Sequence, residues 1–64
     1  VSEDFNMSMR KFLKQVGVTS QQAIEEAMRK AGDTSGKTYQ AKMVLTIEAL
    51  DLKHEVNGEI EGQA

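Results

Sequence analysis

FLKQVGVTSQQAIEEAM, residues Phe12 to Met28, is the stretch whose reading decides the fold. It reads as a helix that stops, turns and restarts. Gly17 sits where a helix often ends in a left-handed residue that only glycine adopts cheaply. Thr19 follows in position to cap a second helix. Its hydroxyl would accept from the backbone N–H of Gln22, and Gln22 would reach back to the N–H of Thr19, which is the spacing of a capping box. Val18 and Ala23 fall at the two positions of a hydrophobic staple. On this reading a Thr19→Ala change costs about 1 kcal/mol.

Upstream of Gly17, residues Phe5, Met9, Phe12, Leu13 and Val16 recur at helical spacing. Arg10, Lys11, Lys14 and Gln15 face away from that stripe, and Ser2 or Asp4 is placed to cap its start. Downstream, Ala23, Ile24, Ala27, Met28 and Ala31 form a second stripe with small side chains. Glu25–Arg29 and Glu26–Lys30 stand four residues apart in the favoured order, and Gly32 ends the helix. The expected helices cover about 4–16 and about 20–31.

The run from Gly32 to Gln40 is rich in turn formers and reads as a mobile loop over 32–40. Beyond it the period changes to two. Met43, Leu45 and Ile47 alternate with Val44, Thr46 and Glu48, and His54, Val56, Gly58 and Ile60 alternate with Glu55, Asn57, Glu59 and Glu61. Strands over about 42–49 and about 54–61, joined by a turn at 50–53, pair Ile47 with Val56 and Met43 with Ile60. The same register sets Lys42 opposite Glu61. A rival register turns at Asn57-Gly58, the strongest short hairpin signal, but leaves a short return strand. The fold expected is α+β in the order ααββ: a two-helix hairpin packed on one face of an antiparallel β-hairpin, as a single domain over 1–64.

The 64 residues include no cysteine, so neither a disulfide nor a thiolate-bound metal can staple the domain. A chain of this size has a marginal core, and a second copy is one route to stability. The net charge is −2. Residues 1–32 hold five Lys or Arg against four acids, and residues 33–64 hold three against six. That balance gives little electrostatic attraction for nucleic acid or an anionic membrane. No apolar run has membrane-spanning length, and no signal peptide opens the chain, so a cytoplasmic protein is expected.

FNMSMRKFLKQVGVTSQQAIEEAMRKA (5–31) with LTIEALDLKHEVNGEIE (45–61) resembles a family of short uncharacterised bacterial proteins of about this length. The resemblance spans nearly the whole chain and implies a free-standing small protein. It implies no activity and no functional residues.

The residues themselves bear on four chemistries. LKQVGVTSQQAIEEA is similar to the centre of a DNA-binding helix-turn-helix. In that reading Gln21 and Gln22 would face bases, while Arg29 and Lys30 would hold phosphate. Glu25 and Glu26 on the same helix oppose it, as does the lack of a preceding third helix. AGDTSGKT, residues 31–38, approximates a phosphate loop, but that mechanism needs a strand before the loop and a helix after it. His54 with Asp51 and Glu55 makes a poor metal or acid–base set, since one histidine without cysteine supplies too few ligands. No cofactor is implied. Protein association is left, with Val44, Leu50 and Leu52 as apolar residues off the main stripes. The expectation is a non-enzymatic, self-associating interaction module, with a DNA-binding regulator as the alternative.

Overall fold

The computed structural model describes residues 2–63. Its elements are one helix, α1 (Glu3–Ala31), and two strands, β1 (Thr38–Ile47) and β2 (Leu52–Glu61), joined through a single 3-10 turn at Glu48–Leu50. They form two compact units that meet at the Gly32–Asp33 bond: the helix, and the hairpin with its flanking segments.

The helix is continuous through Gly17, so the expected two-helix hairpin does not form and the order is αββ. The α+β class stands with one helix in place of two. A stop at Gly17 would orphan four C=O groups before the break and four N–H groups after it, with only Thr19 on hand to cap them. Keeping Gly17 helical costs about 1 kcal/mol relative to alanine. Thr19 does not cap. Its hydroxyl donates back to the Gln15 carbonyl at 2.8 Å, the habit of a threonine inside a helix.

The true ends are where capping chemistry is complete. Ser2 is the N-cap, its Oγ accepting from the Phe5 N–H at 3.1 Å. Glu3 and Asp4 lie in the first turn and Arg29 and Lys30 in the last, each complementing the helix dipole. Gly32 closes the helix at φ 84°, ψ −126°, a conformation open to glycine and strained for any other residue. Arg29 pairs with Glu26, three residues back, instead of Glu25. Glu25 instead accepts from Gln21 Nε2 at 3.5 Å.

The hairpin register differs from the one expected. Ile47 pairs with Leu52, Leu45 with His54, Met43 with Val56, Ala41 with Gly58 and Tyr39 with Ile60. The turn therefore falls at Glu48–Asp51, two residues earlier than 50–53, and β1 starts at Thr38, inside the segment expected to be loop. Asn57 and Gly58 lie within β2, opposite Lys42 and Ala41, so the rival turn is not used. Three physical reasons favour the observed register. It matches apolar side chains at three levels of one face, and it keeps Glu48 from facing Glu55. It also gives the left-handed turn position (φ 53°, ψ 39°) to Asp51, a residue type that tolerates it. On the other face Gln40 Nε2 donates to Glu59 Oε2 at 2.9 Å. Lys42 reaches diagonally to Glu55 at 3.7 Å instead of facing Glu61.

The segment between helix and strand is short and tied down. Asp33 Oδ1 accepts from both the N–H and the hydroxyl of Ser35, and Lys37 N–H closes a turn onto the Thr34 carbonyl. Gly36 takes φ 75° at the third position of that turn.

Candidate interaction surfaces

The continuous helix joins the two expected stripes into one. Phe5, Met9, Phe12, Val16, Ser20, Ala23, Ala27 and Ala31 advance by steps of three or four, and an 11-residue spacing links Phe5 to Val16 to Ala27. That spacing averages about 3.67 residues per turn, so the stripe runs nearly straight along an α-helix. With a rise of about 1.5 Å per residue the helix is about 43 Å long. Its N-terminal half presents bulky groups, and its C-terminal half presents mostly alanine. Phe5, Phe12 and Leu13 are each about half exposed.

The second surface is the apolar face of the hairpin: Tyr39, Met43, Leu45 and Ile47 on β1, with Leu52, Val56 and Ile60 on β2. Among the described residues no hydrophobic side chain is buried. A two-stranded hairpin is marginal in water without a partner for one face.

Only Thr34 is buried among the described residues, and it is polar. Its hydroxyl donates to the Gln63 carbonyl at 3.1 Å and accepts from the Gln63 N–H at 3.0 Å. Gly62 N–H donates to the Lys37 carbonyl at 2.8 Å. A Cβ at Gly62 would overlap the Thr34 carbonyl, so that position requires glycine. This clasp fastens the start of the hairpin unit to its end. Nothing in the spacing of Thr34 and Gln63 signals it, because the two meet only once the register is set.

The residues singled out from the sequence are distributed as follows. Gln21, Gln22, Arg29 and Lys30 lie on one unbroken helix, with no turn before it to make a helix-turn-helix. Arg29 is engaged by Glu26. Val44 sits on the polar face of the hairpin opposite Glu55, Leu52 sits on the apolar face opposite Ile47, and Leu50 stands at the turn, 70% exposed. The structure does not gather those three into one patch. His54 and Glu55, neighbours in β2, point to opposite faces. Among the described residues no group of three His, Asp or Glu side chains is placed to hold a metal ion. The AGDTSGKT segment runs from helix to strand, the reverse of a phosphate loop. Asp33, fully exposed, has its carboxyl held below the ordinary aspartate value by the Ser35 hydroxyl first and the Ser35 N–H second.

No helix among the described residues is long and apolar enough to cross a membrane. Fold and surfaces together define a small α+β protein: one long amphipathic helix followed by one amphipathic hairpin. The chain belongs to DUF6494, a family of unknown function, whose family model matches residues 1–63. No curated protein and no solved structure matches it.

Proposed function

We propose that this protein is a small non-enzymatic interaction module of the cytoplasm that works by covering its apolar helix stripe with another protein surface. The observation that carries this reading is the exposure of the stripe. Phe5, Met9, Phe12 and Leu13 lie along one helix face and are all exposed. Apolar patches of that extent on a folded protein mark contact sites. Methionine at Met9 and Met28 adds an adaptable surface. The absence of cysteine fits a reducing compartment.

The test is site-specific photocrosslinking in the native host. A benzophenone side chain placed at Phe12 should yield a discrete protein adduct, while the same group at Lys14, on the opposite side of the helix, should not. Equal labelling at both sites, or none at either, would rule the reading out.

A further inference from the structure

We propose that Asn57-Gly58 is a site of spontaneous covalent modification, in which the Asn57 side chain closes onto the Gly58 nitrogen at a rate set by opening of the hairpin, and that the isoaspartyl product releases the end of β2. This goes beyond the interaction-module reading and does not depend on it.

The pair is one that the fold leaves unused. Asn57 is the one asparagine followed by glycine, and β2 holds this strong turn signal extended, opposite Lys42 and Ala41. Both residues are exposed. Glycine leaves the attacking nitrogen uncrowded and the backbone free to turn. Ring closure needs the Asn57 side-chain carbon and the Gly58 nitrogen on the same side of the Cα–C bond. Extended backbone, at ψ about +135°, holds them apart. The paired strand is therefore unreactive and the opened strand reactive. Opening costs little here. No hydrophobic side chain is buried among the described residues, and a two-stranded hairpin is marginal alone. Once open, Asn-Gly recovers its local preference for a turn.

The reaction needs only water. The Gly58 nitrogen gives its proton to solvent and bonds to the side-chain carbonyl carbon of Asn57. The bond from that carbon to the amide nitrogen breaks, and ammonia leaves, taking up a proton. Water then opens the succinimide ring. Attack at the side-chain carbonyl gives aspartate. Attack at the main-chain carbonyl gives isoaspartate, whose main chain is longer by a single carbon.

The products differ in what they do to the hairpin. Aspartate keeps the strand length and sets a carboxylate opposite Lys42. Isoaspartate displaces every later residue against β1. The Gln40–Glu59 bond at 2.9 Å and the whole clasp, Gly62 with Lys37 and Gln63 with Thr34, lie beyond Asn57. Met43 with Val56 and Leu45 with His54 lie nearer the turn and keep their register.

The test ages the full chain at mildly alkaline pH beside the peptide HEVNGEIE (54–61). Peptide mapping and enzymatic methylation of isoaspartate follow the products. The protein should react at Asn57, more slowly than the peptide. Asp51→Val, which strains the turn, should speed the protein's reaction by about fivefold or more, since the rate tracks the open population. Gly58→Ala, whose Cβ meets nothing within 4 Å, should keep the strand and slow the reaction. An unmodified protein beside a reacting peptide would overturn the site. A rate equal to the peptide's, or unmoved by Asp51→Val, would overturn control by the hairpin. In the separated isoaspartyl form the Gln63 amide should lose protection against hydrogen exchange while the NOE between Met43 and Val56 persists. A protected Gln63 amide in that form would overturn release of the strand end. So would loss of its protection in an equally aged Asn57→Gln variant, which lacks the reactive pair.

Discussion

The Thr19 hydroxyl donates to the Gln15 carbonyl at 2.8 Å, one turn back along an unbroken helix. The bond reverses the role expected of Thr19. In a capping box its oxygen would accept from a downstream N–H; here it donates to an upstream carbonyl. The difference decides between a helix-turn-helix and a single rod.

Substitutions at this point should follow helix propensity. Gly17→Ala adds a Cβ that meets nothing within 4 Å and should stabilise the helix by about 1 kcal/mol. Thr19→Ala should be neutral or stabilising by a few tenths, about 0.5 kcal/mol, instead of costing a lost cap. Thermal melts followed by circular dichroism at the helix band read both. A fall in melting temperature for Gly17→Ala would return the chain to a turn at this position.

Gly62→Ala should open the clasp, since its Cβ would overlap the Thr34 carbonyl. The Gln63 and Lys37 amides should then lose protection against hydrogen exchange together, while amides of α1 keep theirs. Thr34→Val, which removes the hydroxyl that both donates and accepts, should expose the Gln63 amide without displacing Gly62. An unprotected Gln63 amide in the unaltered protein would contradict the clasp.

The hairpin turn depends on the left-handed conformation of Asp51. Asp51→Gly should leave the hairpin intact or stabilise it slightly, and Asp51→Val should cost about 1–2 kcal/mol. Cross-strand NOEs between Met43 and Val56 report the register directly. Contacts from Met43 to Ile60 in their place would restore the turn at 50–53.

Asp33 should titrate below the ordinary aspartate value of 3.8, because the Ser35 hydroxyl and N–H both favour its carboxylate. A carboxyl depressed in the folded state supports the fold above its unfolded value and loses that support as the pH falls through its folded value. The turn after the helix should therefore be fully ordered at neutral pH and loosen only below 3.8. Carboxyl carbon shifts followed by NMR give the titration, and Ser35→Ala should return Asp33 toward the ordinary value. An unaltered protein whose Asp33 titrates at or above that value would sink the Asp33–Ser35 contact.

Much of the architecture was legible in the residues. Period gave a helical first half and a hairpin second half; Gly32 marked the helix end that the structure keeps, and Ser2 was one of two candidates, with Asp4, for its start. Parity was legible too. The odd positions of β1 and even positions of β2 share the apolar face in the expected register and in the observed one. The helix stripe was visible in two halves. Its continuity was not, because Gly17 and Thr19 carry the same signals whether a helix ends there or passes through.

The sequence by itself determined which side chains are apolar, at what period they recur and where a helix can start and stop cheaply. Those are local properties, governed by side-chain chemistry within about one turn. Only the tertiary structure decided the matters that compare distant alternatives. The backbone bonds kept across Gly17 outweigh the cap that Thr19 would supply. A shift of two residues in the turn matches Met43 with Val56 and seats Asp51 in the left-handed position. The hydroxyl of Thr34 meets Gln63 twenty-nine residues along the chain, a bond that exists only after the strands have set their register. Each is a choice between whole hydrogen-bond sets of similar local propensity, and the fully satisfied set wins.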